Sequence, residues 1–139
     1  VPRRPSSWHV RVLAHPFFLS ATEKLDRIDL LHESRPEQWK MLSHGGVGSR
    51  WHKPLAKLIA LMDGSYGRDS LQELVRLLRN IRAHFFEKCA TREGAGRMQA
   101  VFGQETPDTA EGRDELLVEY VGTRLPSVFL QFLRNGDVW

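Results

Sequence analysis

The sequence predicts a single all-α domain, and three features of its 139 residues carry that expectation. Apolar residues recur at helical spacing along most of the chain, and no alternating apolar and polar run is long enough for a sheet. Helix start and stop signals bracket the same stretches. The length suits one core, because a domain of this size hides roughly two thirds of the surface that its unfolded chain exposes.

Taken in order, Arg4-Pro5-Ser6-Ser7 opens a short helix reaching about Ala14. Ser20-Ala21-Thr22-Glu23 has the capping-box spacing and starts a helix to about His32. Ser34 to Glu37 repeats a start signal with Pro36 in the first turn, and Gly45-Gly46 ends that helix, followed by a Gly-rich loop to Ser49. Lys53 to Met62 carries an apolar stripe and closes at Asp63-Gly64. Ser70-Leu71-Gln72-Glu73 forms another capping box, and the helix behind it runs to about Lys88, with Leu71, Leu74, Val75, Leu78, Ile81 and Phe85 on the face that must be buried. Arg97 to Phe102 is helical, Gly103 to Arg113 reads as an exposed loop, and two closing helices span Glu115 to about Arg124 and Pro126 to about Arg134.

Composition narrows the function classes. Hydrophobic residues make up 41% and charged residues 27%, ordinary for a globular protein, and no apolar run approaches the ~20 residues of a membrane span. The basic start lacks the apolar segment of a signal peptide, and the one cysteine, Cys89, suits a reducing, cytosolic setting. A net charge of +3 is compatible with an anionic partner such as RNA. The six histidines lack HExxH spacing and one cysteine cannot build a zinc cluster, so no metal or other cofactor is expected. Asp26 and Asp29, with Arg27 between them, read as a solvated helix face.

The informative place is the polar side of the Ser70 helix. At about 100° per residue, Asn80 and His84 lie one turn apart and point the same way, while Arg79 projects to one flank. Arg76 and Arg82 add positive charge along the same helix and are candidate RNA contacts. A histidine, whose unperturbed pKa is ~6.5, an amide and an arginine are the parts that phosphodiester transesterification needs. The 2′-hydroxyl of RNA supplies the nucleophile, so a protein has only to move protons and stabilise the charged phosphorane.

At these residues the chain resembles the KEN domain, the kinase-extension nuclease of the Ire-type sensors of unfolded protein and of RNase L. That family's motif, an Arg-Asn pair with a histidine five residues after the Arg and a tyrosine in the preceding loop, is matched by Tyr66, Arg79, Asn80 and His84. Arg4-Pro5-Ser6 and His15-Pro16-Phe17-Phe18-Leu19-Ser20 resemble the tail of a protein-kinase C-lobe. Tyr120 to Pro126 is similar to the aromatic-x-x-x-Arg-Phe-Pro stretch before the family's closing helix. The chain departs from the pattern at Ile81-Arg82, where a basic pair is usual, and at Leu19, where an aromatic is usual.

The resemblance implies a kinase tail over residues 1–20 and a KEN ribonuclease domain over 21–139. It implies a metal-independent endoribonuclease that cuts single-stranded or stem-loop RNA to 2′,3′-cyclic phosphate and 5′-hydroxyl ends. His84 would be the general acid, Tyr66 would act as base or orient the 2′-hydroxyl, and Arg79 and Asn80 would hold the phosphate. It further implies activation by homodimerisation through the KEN and upstream kinase domains, on the cytosolic side, in a soluble protein or one held in the endoplasmic-reticulum membrane. The alternative is a catalytically idle helical module that dimerises or binds RNA.

Overall fold

The computed structural model describes residues 19–33, 50–62, 64–66 and 70–135, and these contain six helices and no strand. They are α1 (Ala21–Leu31), α2 (Ala56–Ala60), α3 (Leu71–Cys89), α4 (Arg92–Phe102), α5 (Ala110–Arg124) and α6 (Pro126–Asn135). The expected helix before Ala14, the one after Ser34, and the Gly-rich loop lie outside the described residues. No described helix is long and apolar enough to cross a membrane.

The helix starts follow side-chain chemistry. Ser20 caps α1 with a full capping box, its hydroxyl accepting from the Glu23 N–H while the Glu23 carboxylate reaches back. Ser70, Thr91 and Thr109 each accept, three residues on, from the backbone N–H of Glu73, Gly94 and Gly112. Two of these caps start their helices earlier than the sequence reading had them. α4 begins at Arg92 rather than near Arg97, and α5 at Ala110 rather than Glu115. α2 is shorter than the expected Lys53–Met62 helix. Pro54 disfavours helical backbone at Lys53, and residues 51–55 form turns instead.

α3 runs through the centre, packed against α1, α4 and α5, while α6 closes on α5 and α1. Its buried face is wider than the single stripe expected, because Leu77 is buried alongside Leu74, Val75, Leu78 and Ile81. That is the consequence of having neighbours on several sides. α1 adds Leu25, Ile28 and Leu31, and α6 adds Val128, Phe129, Phe132 and Leu133. Trp51 is fully buried in the same cluster and donates its indole N–H to the Ser70 carbonyl at 3.1 Å, fixing the segment before α2 to the start of α3. A satellite cluster of Phe85, Met98 and Leu116 holds α4 on the far end of α3.

That contact needs a glycine. A Cβ placed on Gly94 would lie 2.0 Å from the Lys88 carbonyl oxygen, so only a residue without a side chain lets α4 start this close to the end of α3. Gly103, with φ of 72°, ends α4 in the left-handed conformation that glycine adopts at least cost.

Candidate active site

Four of the residues singled out in the sequence come together where the polar side of α3 meets the segment that precedes it. Tyr66 lies against α3 with only 7% of its surface exposed, and its hydroxyl accepts a hydrogen bond from the Asn80 side-chain amide at 3.1 Å. His84 follows one turn along, and Arg76 precedes Asn80 by one turn. Together with Met62, Gly64, Glu87 and Lys88 these four line an open groove of about 490 Å³. Tyr66 lines the groove although it is largely buried, and the Asn80 amide fixes the direction of its hydroxyl.

Arg76 is committed to this arrangement. Its guanidinium stacks over the Tyr66 ring at 4.3 Å, donates to the Ser65 carbonyl at 2.6 Å and pairs with Glu73. The hydrogen bond that Arg76 donates to the Glu73 carboxylate raises its pKa above the ordinary value. The expected RNA contact at Arg76 therefore becomes, first of all, a strut that holds the tyrosine-bearing segment onto α3, with its charge still facing the groove.

Arg79 is exposed on the flank of α3, outside the groove lining, where its charge acts on the Asp29 carboxylate of α1. Its position agrees with the projection expected from helical spacing. Reaching a phosphate above Asn80 requires the length of its side chain.

Arg82 does not face the groove. Its side chain is 12% exposed and makes four hydrogen bonds, two to Asp114 and one each to Asp26 and Asp29. The expectation of Arg82 as an RNA contact conflicts with this placement, because it sits about 200° around the helix from Asn80 and its donors are taken by carboxylates. Asp26 and Asp29 are likewise more than a solvated face, since both hold Arg82.

Asp114 is the fully buried partner of that network and also accepts from Thr22 and Arg113. Burial alone would push its carboxyl up, but hydrogen bonds from Arg82, Arg113 and Thr22 outweigh that and hold it below the usual carboxylate range. Asp29 goes the other way. Its burial outweighs the attraction of Arg82 and raises its carboxyl.

His84 is open to solvent, with 54% of its side chain exposed, and its Nδ1 lies 2.8 Å from a Glu87 carboxylate oxygen. Glu87 and Lys88 were not among the residues expected in the site. The signal was available, since Glu87 is three residues and Lys88 four residues beyond His84, which puts both on the same face of α3. Among the described residues no group of three or more His, Cys, Asp or Glu is placed to hold a metal ion.

Comparison with protein-family models, curated proteins and solved structures gives no match to this chain. A hydroxyl, an amide, an imidazole and a cation converge on this open groove. That set can transfer a proton and stabilise an anion, and none of it requires a bound cofactor.

Proposed function

We propose that this chain is a KEN-type endoribonuclease domain that cleaves single-stranded or stem-loop RNA by transesterification. The observation that carries the reading is the meeting of Tyr66, Asn80 and His84 in one groove, with the Tyr66 hydroxyl held by the Asn80 amide. In this reaction the 2′-oxygen attacks phosphorus and the bond to the 5′-oxygen breaks, leaving a 2′,3′-cyclic phosphate and a 5′-hydroxyl. His84 donates its proton to the leaving 5′-oxygen. Tyr66 acts as base on the 2′-hydroxyl proton, or orients that hydroxyl while the proton passes to water, Asn80 and Arg79 stabilise the negative oxygens of the phosphorane, and no metal takes part.

The resemblance to KEN domains extends the proposal to a homodimer formed with an upstream kinase domain, working on the cytosolic side. Tethering supplies an effective concentration of roughly millimolar for a short flexible linker, so fusion to a dimeric partner replaces what the kinase would provide. The test is to incubate that fusion with a stem-loop RNA in excess EDTA and determine the product ends. Cyclic phosphate and 5′-hydroxyl ends are expected. Products with 5′-phosphates, or activity abolished by chelation, would overturn the mechanism, and RNA binding without cleavage would leave the idle helical module as the better reading.

A further inference from the structure

We infer that Glu87 is a positioning residue for His84, accepting a hydrogen bond at Nδ1 so that Nε2 is the nitrogen turned to the groove; the inference rests on the groove being the ribonuclease site proposed above. The two side chains are in hydrogen-bond contact at 2.8 Å, three residues apart on α3, and both line the groove.

The direction of that bond follows from charge. The hydrogen bond from His84, and then its charge, hold the Glu87 carboxyl below the usual carboxylate range, so Glu87 is ionised near neutral pH and can only accept. Nδ1 must then carry the hydrogen. A neutral His84 in this bond is the Nδ1–H tautomer, with a lone pair on Nε2, and a protonated His84 has one proton free to leave, that on Nε2. Proton donation to the 5′-oxygen returns the ring to the tautomer that Glu87 stabilises, so the ring need not turn over between taking up a proton and giving it away.

Stability does not explain the pair. Both side chains are more than half exposed, and ion pairs at this spacing on a solvated helix contribute little to folding. Its geometric effect is larger than its energetic one, because it narrows the rotation of an imidazole that otherwise stands free above the groove.

The test uses the dimeric fusion of the full chain with Glu87→Ala and Glu87→Gln, and long-range proton–nitrogen NMR of the labelled chain. Glu87→Ala is expected to lower kcat about tenfold with KM unchanged, as loss of groups that orient a reactive histidine does. Glu87→Gln, which keeps an accepting oxygen, should recover a substantial part of that loss. The neutral His84 ring should read as the Nδ1–H tautomer in the parent chain and lose that bias in Glu87→Ala. An unchanged kcat in Glu87→Ala, or an Nε2–H ring in the parent chain, would overturn the inference. Absence of cleavage by the parent fusion would instead count against the ribonuclease reading, and the tautomer measurement, which needs no RNA, would alone decide whether Glu87 fixes the ring.

Discussion

Arg82 of α3 and Asp114 of α5 meet side by side, Nε donating to one carboxylate oxygen and Nη2 to the other, each at 3.0 Å. Asp114 is fully buried, and this two-pronged contact is the largest share of what makes its charge tolerable there, beside Arg113 and Thr22. Removing Arg82 leaves the buried carboxylate only its contacts with Arg113 and Thr22 and takes from Asp26 and Asp29 the guanidinium that they share. Arg82→Ala is expected to cost about 3–5 kcal/mol, read by urea unfolding, and Arg82→Lys to recover only part, because a point charge cannot match a two-pronged carboxylate. A loss under about 0.5 kcal/mol, the size of an ordinary surface substitution, would show that the network is incidental.

The same network sets an acid response with two opposed parts. Asp114 is held low in the folded protein, so its stabilisation is complete above the unfolded carboxyl value of ~3.9 and is lost as pH falls through the lower folded value. Asp29 is raised, so ionising it weakens the fold as pH rises from ~3.9 through its higher folded value. Urea unfolding between pH 3 and 6 should therefore show a flatter acid limb in Asp114→Asn and a steeper rise with pH in Asp29→Asn. Identical profiles for all three proteins would contradict both assignments.

Site and core should separate cleanly. His84→Ala and Arg79→Ala remove exposed side chains and are expected to reduce RNA cleavage by ~10² or more with little change in melting temperature. Leu78→Ala truncates a side chain that is 2% exposed and should cost about 2–5 kcal/mol. A His84→Ala protein that unfolds while keeping its activity would reverse the assignment.

Gly94→Ala is expected to destabilise by about 1–3 kcal/mol, since the methyl group overlaps the Lys88 carbonyl and α4 must shift. Gly96→Ala is the control, because a Cβ there meets nothing and alanine favours the helix. Thermal unfolding of the two variants should move in opposite directions.

Local signals were legible in the sequence and long-range ones were not. Ser20, Ser70 and Pro126 announce their helices through spacing within one turn, and each helix starts where that spacing puts it. The start of α4 was obscured by Gly94 and Gly96, residues that ordinarily weaken a helix, although Thr91 caps it. Asn80 and His84 share a face by period alone, whereas the hydrogen bond between Asn80 and Tyr66 joins residues 14 apart. Arg82 was misplaced because its partners lie 32, 53 and 56 residues away on two other helices, a relation that no local pattern encodes.

The Trp51 hydrogen bond to Ser70 makes a closed ring of the chain between them, knotted 19 residues apart by one indole N–H. Tyr66 sits four residues from that knot. A closed loop has fewer arrangements than an open chain, so this link removes part of the freedom that Tyr66 would otherwise have. The Tyr66 oxygen is therefore held by the amide it touches and by the tether of its own backbone, and the fully buried Trp51 shares in setting its position.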